Sequence, residues 1–321
     1  MIARIVLTAA LVAGAAVTLA GLSAPLHPPA DIVNPFRPFI LLAAGALLAI
    51  ALMLRAPRLA LAGAALAGIN GMLLGLPLLW SAVPAERSTA GQALASAGTR
   101  DINLVTFNMA FRDAQATVRF LLDEDPDIAV LQEVGTRQGD ALRASLGARY
   151  PHSHTCGAPR RCAAAILAKR PWVAAGHEEW TAETPEVVWV QFDDPELGRL
   201  RVVGAHLALP FRAEQQTNHV ARLIALRAGI TGPLVIAGDF NMTPWSYRLQ
   251  RLLAATGLRR HATFLRSWPT DGQYRLPRPT FLIDHVLTTP EIESVSIRIG
   301  PALGSDHLPV IAALRVPKRR Q

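Results

Sequence analysis

Up to Val83 the chain holds three long runs almost empty of charge, and no other feature narrows its folding options so far. Ile5 to Ala30 has no charged residue, and Phe39 to Leu54 is apolar or small throughout. Leu59 to Val83 has only Asn70 and Ser81 as clearly polar positions. A helix that crosses a bilayer needs roughly 20 mainly apolar residues, and in lipid its backbone polar groups must be satisfied within the segment. The first and third runs meet that length. The second meets it only if Pro38 and its neighbours sit in the interface. A cleaved signal peptide is the competing reading of the first run, with Arg4 as the positive start and Leu22-Ser23-Ala24 as the cut. The run exceeds a signal's length, Pro25 would follow the cut, and two more apolar segments come next, so a retained helix is expected. Helices buried in a soluble core would show a polar face, and these do not.

Loop arginines set the expected topology. Arg4, Arg55 and Arg58 fall on one side; Asp31, Arg37, Glu86 and Arg87 fall on the other. This favours a cytoplasmic amino terminus, a multi-pass protein of a bacterial-type inner membrane, and a periplasmic or extracellular remainder. Residues 1–86 thus form a membrane anchor. Residues 87–100, rich in Ser, Ala and Gly, form a flexible linker, and 101–321 form a second domain. The chain's two cysteines, Cys156 and Cys162, lie close together with Gly and Pro between them, and an oxidising compartment would bridge them. The formal net charge of +8 suits an anionic substrate or a membrane surface without establishing nucleic-acid binding.

Beyond the linker, one pattern recurs: an apolar strand ending in a side chain able to do chemistry. Ile102 to Phe107 leads into Asn108, Asp127 to Gln132 into Glu133, and Leu200 to Ala205 into His206. Val235 to Gly238 leads into Asp239-Phe240-Asn241, where Asp239 and Asn241, two residues apart on an extended chain, would share a face. Alone, that stretch reads equally well as a turn. Phe281 to Ile283 precedes Asp284-His285, and Gly304-Ser305 precedes Asp306-His307. The remaining periodicity predicts strands at 102–107, 128–131, 163–167, 187–192, 200–204, 234–237, 282–286, 295–299 and 310–314. It predicts helices at 114–124, 136–146, 212–228 and 247–255. Such alternation indicates layered α/β structure.

These motifs resemble those of the endonuclease/exonuclease/phosphatase superfamily of metal-dependent phosphoesterases. Its members include secreted deoxyribonucleases, abasic-site endonucleases, neutral sphingomyelinases and inositol polyphosphate 5-phosphatases. The matching signatures are Thr106-Phe107-Asn108, Leu131-Gln132-Glu133-Val134, Ala205-His206-Leu207, Gly238-Asp239-Phe240-Asn241, Ile283-Asp284-His285-Val286 and Ser305 to Val310, in the family's order. The resemblance covers about Asp101 to Val316. It implies an α/β (α+β) four-layer sandwich of two mixed β-sheets flanked by helices, here preceded by three transmembrane helices.

The resemblance also implies a catalytic apparatus. Glu133 is expected as the central ligand of Mg²⁺, with Mn²⁺ as a substitute, and Asn108 and Asp306 complete the metal set. No Cys or His cluster has zinc spacing. Asp239 is expected to activate the attacking water, with Asn241 fixing that water or a phosphate oxygen. His307 pairs with Asp284, and His206 contacts a non-bridging oxygen or the leaving group. Whether Asp239 or the His307-Asp284 pair is the base stays open. His285 is expected to pack behind the site, and Trp172, Trp180, Trp189, Trp245 and Trp268 to be buried, with stacking on a base as the alternative. Arg160, Arg161, Lys169 and Arg170 read as solvated surface. Ala168 stands where many relatives have Ser, which weakens any specific role there.

The expected function is a membrane-anchored, Mg²⁺-dependent phosphoesterase, nuclease-like, acting on phosphodiester or phosphomonoester bonds. The alternative is a phospholipid or inositol-phosphate hydrolase of sphingomyelinase type. A catalytically inactive binding module ranks below both, since it expects Glu133, Asp239 or His307 to be replaced. The expected partners are a phosphate-ester substrate (nucleic acid, phospholipid or small phosphate) and the lipid bilayer, with no obligate protein partner.

Overall fold

The computed structural model describes residues 1–81, 98–156, 162–195, 198–261, 265–270 and 280–318, with backbone alone for 78–81. Residues 87–97 of the expected linker, and Arg160 and Arg161, lie outside the described residues. Two compact units emerge: Met1–Trp80 with Leu209–Thr217 and Met242–Arg251, and the remainder.

In the first unit, helices α1 (Ile2–Leu22), α2 (Arg37–Met53) and α3 (Pro57–Ser81) form over the three apolar runs. The segments Ile2–Leu22, Pro28–Met53 and Pro57–Pro77 are each long and apolar enough to cross a membrane. Pro57 opens α3 at a position where its missing N–H costs nothing. Leu7 and Leu11 of α1 pack with Ala44 and Ala51 of α2 and with Ala60 and Leu66 of α3. Arg4 Nη2 donates to Leu54 O at 3.1 Å, which puts the start of α1 beside the end of α2.

The stretch between the first two helices is a 3₁₀ helix, Pro28–Phe36. Its polar residues are buried, so they must find partners. Asn34 Nδ2 donates to Asp31 Oδ1 (2.6 Å), Arg37 donates to Asn34 Oδ1 and Asn70 Oδ1, and Asn70 Nδ2 donates to Thr18 Oγ1 (3.0 Å). Asp31 accepts from the backbone N–H of Tyr247 (2.8 Å) and Arg248 (3.2 Å), and pairs with the buried Arg248 guanidinium.

The second unit is built on two six-stranded mixed sheets. The strands are β1 (Thr99–Asn108), β2 (Ile128–Gln132), β3 (His152–Thr155), β4 (Ala165–Ala168), β5 (Ala174–Glu178), β6 (Glu186–Asp194), β7 (Gly198–His206), β8 (Leu234–Asp239), β9 (Arg259–Arg260), β10 (Asp284–Thr288), β11 (Glu293–Ile299) and β12 (Val310–Pro317). One sheet runs β11-β12-β1-β2-β4-β3 and the other β5-β6-β7-β8-β10-β9. Each has one parallel pair, β1 with β2 and β7 with β8, and antiparallel neighbours elsewhere. A parallel pair needs a crossover, supplied by α4 (Ala114–Glu124) and α6 (Ala213–Ala228); α5 (Thr136–Leu146) and α7 (Tyr247–Thr256) follow β2 and β8. Asp113 caps α4 by accepting the Gln115 N–H.

Ile102, Leu104, Ile128 and Val130 from one sheet meet Val188, Val190, Val202 and Val235 from the other in a shared core. A second core lies between α4, α5 and the first sheet. Cys156 and Cys162 are disulfide-bonded, with Cα atoms 5.5 Å apart.

Candidate active site

The topology gathers the polar strand ends at one place. The parallel strands β1, β2, β7 and β8 all finish there, delivering Asn108, Glu133, His206 and Asp239. The antiparallel β10 and β12 start there, so Asp284 opens one and His307 stands just before the other. The register makes this concrete: Asp239 is opposite both His206 and Asp284, and Asn108 is opposite Gln132.

Local backbone geometry then aims the side chains. Glu133 (φ 53°) and Asn241 (φ 52°) both adopt the left-handed conformation just past a strand. That conformation is uncommon for non-glycine residues and tends to sit at functional sites. Gly238 leaves no room for a side chain, since a Cβ there would come within 2.0 Å of Ala205 O.

Asn108 Nδ2 donates to Glu133 Oε1 and to Asp239 Oδ2, both at 3.1 Å, and its Oδ1 accepts the Ala110 N–H. His206 Nε2 stands 3.8 Å from Glu133 Oε1 and 3.7 Å from Asp239 Oδ2. Asp239 takes the Asn241 N–H on Oδ1 (2.9 Å) and Asn241 Nδ2 on Oδ2 (3.3 Å). His307 Nδ1 bonds Asp284 Oδ2 at 2.9 Å, which leaves His307 Nε2 facing Asp239 Oδ2 at 3.7 Å. Ser305 Oγ donates to Asn108 O and accepts the His307 N–H, tying the Ser305-Asp306-His307 run to the end of β1. The Asp306 carboxylate accepts the Trp268 Nε1 proton at 2.9 Å.

Asp239, Asp284 and His307 are nearly fully buried, whereas Glu133 and His206 remain partly open. Burial pushes the Asp239 carboxyl up to about 6, against the pull of His307. Burial alone would lower His307, but Asp284 and Asp239 outweigh it and raise the imidazole to about 10.

The structure thus brings Asn108, Glu133, Asp239 and Asn241 into one hydrogen-bonded group, sets the bonded His307–Asp284 pair and His206 within 4 Å of its carboxylates, and places Asp306 next to His307 in the chain. His285 is buried away from them, its ring edge-on to Phe240. The sequence reading missed three contributors. In sequence, Ser305 has no role beyond its motif and Trp268 reads as a buried aromatic. Glu186, just ahead of the strand expected at 187–192, carries no sequence signal of its own, yet it is 5% exposed and lies opposite His206.

The donor set suits a hard divalent cation. Two carboxylate oxygens, from Glu133 and Asp239, converge on one amide, and Asp239, Asp284 and His307 offer ligand atoms within 4.8 Å of one another.

A family model described as the Endonuclease/Exonuclease/phosphatase family matches residues 105–307. The chain belongs to this family. Among solved structures, an endonuclease/exonuclease/phosphatase from Beutenbergia cavernae is 22% identical, with a TM-score of 0.56 over 68% of this chain and 72% of that one. Sphingomyelinase C from Streptomyces griseocarneus is 18% identical (TM-score 0.52, 67% and 99% covered). TDP2 from D. rerio, complexed with a single-strand DNA product, is 13% identical (TM-score 0.54, 67% and 98% covered). At these identities the likeness is one of fold. No curated protein matches the chain.

Proposed function

We propose that the chain is a membrane-anchored, Mg²⁺-dependent phosphoesterase that hydrolyses phosphate esters by attack of an activated water. The observation that carries this reading is the Asn108 amide bridging Glu133 Oε1 and Asp239 Oδ2, with His206 facing both oxygens and His307 facing the second. A divalent ion held by Glu133, Asn108 and Asp306 would supply positive charge against the charge developing on the phosphate. The chain's own groups do the rest. Asp239, fixed by the Asn241 N–H, takes the proton of the attacking water, and a carboxyl raised to about 6 suits a base working near neutrality. His307, locked by Asp284, presents a protonated Nε2 to a phosphate oxygen. His206 donates to a second oxygen or to the departing alkoxide.

The test is a panel of duplex and single-stranded DNA, RNA, phospholipids, inositol phosphates and a generic phosphodiester, with and without Mg²⁺. Metal-dependent turnover of at least one is expected; none on any substrate would refute the reading. The same panel separates the nuclease from the lipid or inositol-phosphate hydrolase.

For location, we infer three membrane crossings with the catalytic part on the periplasmic or extracellular side. The Cys156–Cys162 bond supports an oxidising compartment, and Arg4 beside Leu54 supports a common side for the basic ends. A reporter fused after Val316 should behave as exported; a cytoplasmic signal would reverse the topology.

A further inference from the structure

A cavity of about 470 Å³ opens beside Glu133 and His206, and its wall holds a carboxylate that none of the chemistry above uses. Glu186 Oε2 accepts the Ala163 N–H at 2.7 Å. Its Oε1 is buried and has no hydrogen-bond partner among the described residues. A buried acceptor left without a donor is costly, so a group entering the cavity with a proton to share would be held there. The remaining lining suits a short carbon skeleton bearing such a group. Phe111 and Trp180 give aromatic surface, and Trp180 packs against the His206 ring with centroids 5.7 Å apart. Arg143 is already engaged by Asp140 and Thr155, so it does not answer Glu186. The bonded Cys156 and Cys162 form part of the wall, and the volume falls in the range of small-ligand pockets, about 300–1,000 Å³.

We propose that this cavity receives the alcohol half of a small phosphate ester, and that Glu186 Oε1 accepts a hydrogen bond from a hydroxyl or ammonium on that half. The inference rests on the phosphoesterase reading. It places the phosphate at Glu133 and His206, which the cavity shares, and directs the ester's organic group inward.

The test uses the full-length chain in detergent with Mg²⁺ and three phosphodiesters that share one half. The other half is glycerol, ethanolamine or propyl. The glycerol and ethanolamine esters should exceed the propyl ester in kcat/KM by about 10- to 100-fold, the range expected when a buried polar group gains or loses its partner. Glu186→Met should erase the preference. Glu186→Gln keeps the shape, but its one carbonyl oxygen goes to the Ala163 N–H and its amide nitrogen, a donor, faces the cavity, so the preference should fall more for ethanolamine than for glycerol. The two arms also tell a hydroxyl ligand from an ammonium one. No preference in the unmodified chain, or variants that slow all three esters by the same factor, would overturn the proposal, because a merely structural Glu186 leaves the ratio unchanged. If none of the esters turns over, the phosphoesterase reading is in doubt. Calorimetric binding of glycerol 3-phosphate against propyl phosphate then decides the cavity separately, with equal affinities counting against it.

Discussion

At the scale of single residues, the proposed reading asks two carboxylates of one site to do different work. Glu133 is partly open and stands where a cation can reach it, whereas Asp239 is buried behind Asn241. Glu133→Gln should lower turnover and raise the Mg²⁺ concentration needed for half activity. Asp239→Asn should lower turnover by about two to four orders of magnitude, the usual worth of a general base, while leaving metal affinity nearly intact. A kinetic titration with Mg²⁺ separates the two, and near-full activity in both would remove the site. The pH profile carries a second expectation. A base at about 6 must lose its proton before it works, and a cationic His307 must keep its own up to about 10. Activity should therefore rise through the lower value and fall through the upper. Asp284→Asn removes a carboxylate that raises His307, so the alkaline limb should move to lower pH while the acid limb moves less. An unmoved alkaline limb would detach His307 from the reaction.

At the scale of elements, the strand end at Gly238 is the most exposed to insult. Gly238→Ala would push a methyl against Ala205 O on the parallel neighbour β7, where backbone has no slack. Destabilisation of about 3 kcal/mol or more is expected, seen as a large drop in thermal midpoint; a change within a degree would mean that the pair is looser than described. What the sequence made legible follows from how each element is specified. Helices α4 and α5 lie where their periodicity put them, because one apolar face per helix is a local signal. The central strands were readable as continuous apolar runs, since both of their faces are covered. β3, with the sequence His152-Ser153-His154-Thr155, and β5, with a glycine in its middle, were not predicted. They are sheet-edge strands defined by pairing with β4 and β6 rather than by their own composition. Glu186 escaped for a related reason. A charge at the head of a strand is usually wet, and only the cross-strand arrangement buries it.

At the scale of the whole molecule, the first compact unit contains more than the amino-terminal helices. It takes in Met242–Arg251, and there the buried Arg248 guanidinium is answered by Asp31 and by Gln216. A fragment beginning at Gly98 keeps every residue of the site but deprives Arg248 of its carboxylate. The truncation also removes the Pro28 carbonyl that Arg248 bonds, so this fragment should melt below the full chain. Arg248→Met should lower the stability of the full chain yet raise that of the fragment. Equal effects in both would show that Asp31 does not matter to Arg248.

The division of labour between the two sheets has a consequence for the life of the chain. Asn108 and Glu133 come from one sheet, and His206, Asp239 and Asp284 come from the other. Neither sheet alone holds both the carboxylate expected to take the cation and the one expected to take the proton. On the proposed reading, hydrolytic competence is an all-or-none property that arrives only when the sheets dock. A polypeptide that threads the bilayer unfolded, as the proposed topology requires, is harmless to the phosphate esters of the compartment that makes it. On that topology it would become an enzyme only after leaving.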